Sequence, residues 1–523
     1  MHGVELVFVL LAAVTLLAAV AERTTVPYPI FLVLGGVALG LIPGVPSVEL
    51  DPDLVFLLFL PPVLFSAAYF TSWRDFRSNL RPIGLLAIGC VLTTMLAVAA
   101  VGHFVIDGLS WSTAFVLGAI VAPPDAAAAT AIFQRLGVPR RVVTVLEGES
   151  LVNDASALVA YRFAVAAVVS GSFSAWSGGG RFFLIAGGGL AIGLVAGQLM
   201  SIAVPRIGTP SLGIMASLLS PAAIYILAEQ FEVSGVLAVV VAGIIFGRSS
   251  STTLDPVTRV NAVAVWDFAI FLSNGLVFIL IGLQLRTVAE GIDDRSTTEI
   301  LVASLAISAT VILTRILWVY PAAYLPRLIP QIRASDPAPP WQVLAIVSWA
   351  GLRGIVSLAA ALALPHETDA GAPFPDRDLI VFLTFAVILA TLVGQGLSLE
   401  PIVKRLRVSA DGGLEREETL ARRKMAQAAL NRLESLSGEP WISHMLAEKM
   451  RLHYQHQLEH LPASYDPDEL DTDHIADHGR LRREVVHAQR LAIIELRNRD
   501  VIGDDALHRI ERDLDLEELR GDL

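Results

Sequence analysis

The chain has 523 residues, of which 54% are hydrophobic and only 17% are charged, and its mean hydropathy is +0.63. A soluble globular protein is nearer a quarter charged, so this composition indicates a membrane protein. The formal net charge of -12 argues against nucleic-acid binding, and the single cysteine, Cys90, excludes an intrachain disulfide or a thiolate metal cluster.

Apolar segments recur along the chain, and most are long enough to cross about 30 Å of hydrocarbon. We therefore predict an all-α polytopic membrane protein with about thirteen transmembrane helices. The approximate spans are 4–20, 27–45, 53–70, 82–105, 112–133, 142–170, 182–203, 211–228, 234–247, 264–284, 300–325, 341–364 and 378–400. The first span is predicted to be retained rather than cleaved as a signal peptide, because it has no basic segment before it.

Lys and Arg are concentrated in every second connection, beginning at Arg23 and ending at Arg407. The positive-inside rule predicts that these connections are cytoplasmic, with the N-terminus outside and the C-terminus inside. The composition changes near residue 404, so we divide the chain into a transmembrane domain, 1–403, and a soluble helical cytoplasmic tail, 404–523. Six histidines in the tail are interpreted as surface residues rather than a metal site: His444, His453, His456, His460, His474 and His478.

The fifth span carries two consecutive prolines, Pro123 and Pro124, followed by Asp125. The prolines remove two backbone donors and predict a broken helix, which the bilayer tolerates only where the break is buried in protein or lines a cavity. Freed carbonyl groups and half-helix ends at such a break can hold a cation. Asp125 is therefore a candidate ion-binding residue.

The sixth span begins with five oxygen-bearing side chains within about two helical turns: Glu147, Glu149, Ser150, Asn153 and Asp154. Ser150 and Asp154 are four residues apart and share one helix face, with Glu149 and Asn153 on the adjacent stripe. Carboxylate and hydroxyl oxygens suit a hard cation. Acidic residues are common in a first helical turn, which accounts for Glu147 but poorly for Asp154.

The twelfth span contains Arg353 between Gly351 and Gly354, and the glycines predict a second loosened helix. A buried arginine needs an acidic partner, for which Glu149 is our candidate, and the pair is interpreted as electrostatic support. Two more arginines lie inside predicted spans and are interpreted as packing ion pairs without assigned partners: Arg162 and Arg315.

Helix geometry places Asp125, Asp154 and Arg353 at similar depths, about 18–20 Å from the start of their spans. All three are thus predicted near the bilayer centre. The two interrupted spans would be fifth in two halves of opposite topology, about 4–170 and 211–400, which is typical of inverted-repeat transporters.

The chain resembles monovalent cation/proton antiporters of the sodium/proton exchanger family over residues 5–400. The motifs that carry the resemblance are Pro61-Pro62, Ala122-Pro-Pro-Asp125, Glu149-Ser-Leu-Val-Asn-Asp154, Phe271–Leu283 and Gly351-Leu-Arg-Gly354. Many members have Thr-Asp-Pro in the fifth span, where this chain has Pro124-Asp125-Ala126, and some carry an acid at the position of Ser66.

The resemblance implies a homodimer in the plasma membrane that exchanges a monovalent cation, Na+ first and K+ or Li+ as alternatives, for H+. It implies an elevator-like movement, electroneutral exchange and a role in pH and sodium homeostasis, without enzymatic activity or a cofactor. Asp154, with Asp125, would bind the cation or the proton. Ser150 would be a ligand, Asn153 would shape the site, and Glu149 with Arg353 would stabilise it.

Two other function classes remain open from the residues. An intramembrane aspartyl protease would also use two membrane aspartates, here Asp125 and Asp154, but their sequence contexts do not match the Gly-x-Gly-Asp that it requires. A cation channel or a transporter-like sensor would show ion flux that is not coupled to protons, or no flux.

Overall fold

The structure, a computed structural model, describes residues 3–24, 26–42, 55–170, 175–290, 295–408, 413–437 and 442–460, and a few single positions beyond residue 437. The chain forms two compact units, residues 1–410 and 411–523. Almost all of the predicted helical tail beyond residue 460 lies outside the described residues, including His474 and His478.

The described part of the first unit is helical, apart from its connections and one isolated β-bridge between Glu367 and Pro373. Its α-helices are α1 Gly3–Glu22, α2 Tyr28–Gly40, α3 Leu60–Phe70, α4 Trp73–Ser78, α5 Leu80–Gly84, α6 Val91–Val105, α7 Trp111–Val121, α8 Ala127–Leu136, α9 Arg140–Ser170, α10 Ala175–Ala203, α11 Pro210–Gln230, α12 Gly235–Thr253, α13 Pro256–Glu290, α14 Thr297–Tyr324, α15 Pro330–Ser335, α16 Trp341–Trp349, α17 Ile355–Leu362, α18 Arg377–Leu389 and α19 Gly396–Leu406. π-Helical turns precede α3 and join α5 to α6 and α18 to α19.

Each predicted span contains one of these helices or a pair of half-helices, so the all-α membrane fold is confirmed. Eight of the described helical segments are long and apolar enough to cross a membrane: Leu80–Val105, Arg140–Ser170, Leu184–Arg206, Pro210–Gln230, Gly235–Thr253, Pro256–Ala289, Thr297–Leu328 and Arg377–Leu406. Shorter apolar helices are Phe8–Glu22, Tyr28–Gly40, Phe56–Phe70 and Trp111–Val121.

Two segments are broken where the sequence predicts it. The helix α7 ends at Val121, separated by one residue from the prolines, and α8 begins at Ala127; α16 and α17 are separated by residues 350–354. The two breaks meet, because the backbone N–H of Asp125 donates a hydrogen bond of 2.7 Å to the carbonyl of Leu352. Each break thus satisfies a backbone group that the other leaves free.

The buried apolar side chains form two main clusters. The larger one joins α6–α9, α14 and α16–α19, with parts of α1, α2 and α13. The other joins α3, α10, α11, α12 and the first half of α13, and we call α3 and α10–α12 the panel helices. Small residues allow close packing among the panel helices: a Cβ added at Gly247 of α12 would lie 2.3 Å from the carbonyl oxygen of Tyr69 in α3.

One end of the first unit is rich in arginine and is called here the arginine-rich end. It contains the connections around Asp75 and Asp336, and Asp336 binds three arginines from separate elements: Arg81, Arg141 and Arg327. In the second unit, the described residues form α20 Gly413–Leu436 and α21 His444–His460, which pack against each other.

Candidate functional site

Asp154 lies on α9 at the level of the two helix breaks. Its side chain is only 6% exposed, and it forms no hydrogen bond or ion pair with any residue in the described part of the chain. Asp125 is its charged neighbour. A buried carboxylate without a fixed partner is costly in hydrocarbon, and a bound cation or proton would remove that cost.

Asp125 lies where two half-helices begin. Its Oδ1 accepts a hydrogen bond of 2.9 Å from the backbone N–H of Ala127, at the start of α8. The carboxylate also accepts a backbone hydrogen bond from Ile355, the first residue of α17. The unpaired N–H groups at helix N-termini favour a negative charge, so both half-helices hold this carboxylate.

Asn153 connects α9 to the first break. Its Nδ2 donates a hydrogen bond of 2.9 Å to the carbonyl of Pro124, which has no helical partner. Its Oδ1 is buried and accepts no hydrogen bond from the described residues, and the same holds for the hydroxyl oxygens of Thr130 on α8 and Ser357 on α17. These are oxygen atoms of the kind that bind a hard cation. Sequence reasoning did not select Thr130 or Ser357 as site residues.

Glu149 forms a buried ion pair with Arg315 of α14. The Arg315 guanidinium donates two hydrogen bonds, of 2.5 and 2.8 Å, to the two carboxylate oxygens, and both side chains are 1% exposed. Arg315 also donates from Nε to the carbonyl of Val347, at 3.2 Å. Gly351 provides the space for it, since an added Cβ would lie 2.4 Å from Cδ of Arg315.

The predicted ion pair between Glu149 and Arg353 is therefore wrong. Both oxygens of Glu149 are occupied by Arg315, for which the sequence suggested no partner. The backbone N–H of Arg353 donates to Oγ1 of Thr391, while the side chain is 1% exposed. Its Nε and Nη1 have no hydrogen-bond partner among the residues that the structure describes.

Two other predicted residues lie elsewhere on α9. Ser150 is half-buried, one turn before Asp154, and forms no hydrogen bond with the described residues. Arg162, two turns after Asp154, pairs with Glu229 of the panel helix α11 through hydrogen bonds of 2.8 and 2.9 Å. Nothing in the sequence indicates that Glu229 is the partner of Arg162, because Glu229 lies at the end of a predicted span.

Comparison with known proteins identifies the family. Residues 9–405 match the model of the family "Sodium/hydrogen exchanger, transmembrane". An uncharacterised Na+/H+ exchanger of Mycobacterium tuberculosis is 36% identical over 99% of this chain and 96% of its own length. A sodium, potassium, lithium and rubidium/H+ antiporter of Bacillus pumilus is 31% identical over 82% of this chain and 67% of its own length.

The fold is shared with a solved structure. The sodium proton antiporter MjNhaP1 of Methanocaldococcus jannaschii superposes with a TM-score of 0.62 at 19% identity, over 78% of this chain and 99% of that one. The family consists of secondary transporters and not of enzymes, so the protease alternative is excluded. The resemblance predicted from the sequence motifs is confirmed: the chain belongs to the sodium/hydrogen exchanger family of membrane antiporters.

Proposed function

We propose that this protein exchanges Na+ for H+ across the plasma membrane, one cation for each proton, and so serves pH and sodium homeostasis. Asp154 is the residue that alternately carries the cation and the proton. The observation that carries this proposal is the position of its carboxylate, buried beside Asp125 and without a fixed partner in the described residues.

The exchange follows from competition for that carboxylate. Burial makes an unneutralised charge costly, so Asp154 crosses the membrane either protonated or with a cation bound, but not with both. If only these neutral forms cross, the gradient of one ion drives the movement of the other. Asn153, which precedes Asp154, is neutral and adds no further carboxylate to Asp154 and Asp125, and this supports an electroneutral exchange.

The candidate cation ligands are Asp154, Asp125 and Ser150. Asn153 supports the site, since its Nδ2 holds the carbonyl of Pro124 in place. We extend the candidate ligands to Thr130 and Ser357, whose buried hydroxyl oxygens accept no hydrogen bond in the described chain. Na+ is the first candidate because the family is named for it, and a relative that carries sodium, potassium, lithium and rubidium makes K+ and Li+ alternatives.

The supporting pair of the site is now Glu149 with Arg315. Arg353, with Nε and Nη1 unpaired in the described residues, contributes positive charge at the second break. That charge offsets the negative charge of Asp125, which leaves the charge of Asp154 to be neutralised by the cation or the proton. In this proposal Pro123, Pro124, Gly351 and Gly354 keep both helices broken.

The topology that we propose has thirteen crossings, with the N-terminus outside and the C-terminus in the cytoplasm. Its domains are the transmembrane part, 1–403, with inverted repeats of about 4–170 and 211–400, and the cytoplasmic tail, 404–523. Two subunits would associate through the panel helices. In each subunit, the helices of the larger apolar cluster, including α9 with Asp154, would move against the panel helices.

The test uses purified protein in liposomes that contain a pH-sensitive dye. Addition of Na+ to acid-loaded vesicles should produce proton movement for the wild type and none for Asp154→Asn, with both proteins equally stable in detergent. Repeating the assay with K+ and Li+ ranks the cations, and clamping the membrane potential at zero should leave an electroneutral rate unchanged. Normal exchange by Asp154→Asn would refute the assignment.

A further inference from the structure

Glu147 is an acidic residue inside the long helix α9 that the site described above does not use. It is half-buried and forms no ion pair or hydrogen bond with the residues that the structure describes. Arg140 is the basic residue whose charge acts on Glu147, but its guanidinium lies two turns earlier on the helix and pairs with Asp75 at 2.9 Å. A carboxylate at this depth without a partner is stable only where water reaches it.

Glu147 lies on the same face of α9 as Asp154. The two residues are seven positions apart, which is about 10 Å along the helix and almost two full turns. Leu151, between them on this face, packs in the cluster formed by the panel helices. One flank of this face, about 100° away, is packed tightly, since a Cβ added at Gly148 would lie 2.5 Å from Ile83, and Leu146 on the other flank belongs to the larger cluster. Glu147 and Asp154 therefore face the boundary between the two apolar clusters.

The two ends of this boundary differ. Beyond Asp154, Leu158 packs against both apolar clusters, and the ion pair of Arg162 with Glu229 follows. Before Asp154, the face carries the half-buried side chains of Ser150 and Glu147. In this conformation the polar route to Asp154 leads from the arginine-rich end.

The arginine-rich end is a barrier to a cation. Arg140 and Arg141 stand at the start of α9, and other arginines in the adjoining connections include Arg74, Arg77 and Arg81. Arg140 is paired with Asp75. Arg81 and Arg141 share Asp336, but the arginines still outnumber these carboxylates. The net positive potential lowers the local concentration of cations. Glu147 is the first acidic residue on α9 between these arginines and Asp154. Its negative charge compensates the repulsion by the arginines where the cation leaves bulk water.

We propose that Glu147 is a second ion-binding carboxylate, which a monovalent cation occupies transiently between the arginine-rich face and Asp154. This inference rests on the proposed exchange function. It assigns Glu147 to capture and release on one side of the membrane, and Asp154 to the step that crosses it.

The experiment compares Na+ dependence on the two faces in oriented vesicles. In Glu147→Gln, the apparent KM for Na+ at the arginine-rich face should rise about fivefold, because the local attraction is lost. The KM at the other face should stay within about twofold of the wild type, as no attracting charge changes there. Glu147→Asp, which keeps the charge, should restore most of the affinity.

Glu22→Gln is the matched control, because Glu22 is an exposed carboxylate at the end of a different helix, α1. An unchanged KM in Glu147→Gln, or the same increase on both faces, would overturn the assignment of Glu147. Failure of the proposed function gives a different result, since the wild type itself would then not exchange Na+ for protons in these vesicles. Melting temperatures of all variants separate loss of affinity from loss of folding, and Glu147→Ala, which also removes the charge, decides the case if Glu147→Gln does not fold.

Discussion

Asn153 holds the first helix break in place through one hydrogen bond, in which its Nδ2 donates to the carbonyl oxygen of Pro124 at 2.9 Å. This carbonyl would otherwise be a buried acceptor without a donor, which costs about 1–3 kcal/mol. The residue that precedes the proposed ion carrier thus also fixes the backbone beside Asp125.

Removal of this amide should affect both stability and transport. Asn153→Ala should lower the stability of the purified protein by about 1–3 kcal/mol and the exchange rate at least about tenfold, because the break loses its fixed geometry. Asn153→Leu, which has a similar volume and no donor, should lower the rate equally. Thermal unfolding in detergent and dye-based exchange measure the two effects. Asn431→Ala, at an exposed amide on α20, should change neither, and a fully active Asn153→Ala would contradict the prediction.

The position of Gly354 tests the contact between the two breaks. A Cβ at this residue would lie 1.9 Å from Oδ2 of Asp125, much closer than atoms can approach. Gly354→Ala should therefore displace the Asp125 carboxylate from the ends of α8 and α17 and reduce Na+-dependent proton exchange at least about tenfold.

Gly394→Ala provides the control for this substitution. A Cβ at Gly394 has no atom within 4 Å, so exchange by that variant should match the wild type. Equal activity of Gly354→Ala and Gly394→Ala would show that the Asp125 carboxylate does not need its present position.

A double-mutant cycle tests whether Arg315 is the partner of Glu149. Glu149→Gln and Arg315→Met should each destabilise the protein by about 3–5 kcal/mol, because each leaves one buried group without its partner. The double variant should lose much less than the sum. The coupling of Glu149 with Arg353, measured with Arg353→Met, should be smaller by at least about 1 kcal/mol. A larger coupling with Arg353 would restore the pairing that the sequence suggested.

The charge cluster around Asp336 predicts how the stability of the protein depends on pH. Partial burial favours its protonated form, but hydrogen bonds and charge from Arg141 and Arg327 outweigh this and hold its pKa below the usual range. Because the pKa is lowered by folding, the stabilisation is fully present above the unfolded pKa of about 3.9 and is lost as pH falls through the folded value.

The measurement is thermal stability as a function of pH. Asp336→Asn should lower the melting temperature by a constant amount between about pH 5 and pH 8, and the difference should narrow only below about pH 4. A difference that changed between pH 6 and pH 8 would instead connect this cluster to regulation near neutral pH.

The sequence predicts the helices and both breaks well, because they depend on local properties. Segment length and apolarity predict α6 and α14, and the consecutive prolines predict the end of α7 at Val121. The ion pairs are harder to predict from the sequence, since Glu149 and Arg315 are 166 positions apart. Two arginines, Arg315 and Arg353, are buried near this glutamate, and only the rotation of α14 against α9 decides between them. The unpaired oxygens of Thr130 and Ser357 likewise follow from packing and not from any motif.

The ion pair of Arg162 with Glu229 connects α9 to the panel helix α11 on the side of Asp154 away from the arginine-rich end. Arg162 is eight residues after Asp154, about 12 Å along the helix, and Leu158 lies between them. Because this contact joins the two apolar clusters, we expect it to help close Asp154 off from the end opposite the arginine-rich end, which is extracellular in the proposed topology. A partly exposed pair contributes only about 0–1 kcal/mol to stability, so its removal should open the route without unfolding the protein.

A single reporter cysteine measures this opening. With Cys90 replaced by Ala, Leu158→Cys should react slowly with a membrane-impermeant thiol reagent added from the proposed outside. Adding Glu229→Gln or Arg162→Gln should raise the rate about two- to fivefold, since the closed form loses its attraction. The exchanged pair, Arg162→Glu with Glu229→Arg, should protect the cysteine again because the opposite charges still meet. If the single-charge variants leave the rate unchanged, the outer closure rests on the packing of residues such as Leu158 and not on this ion pair.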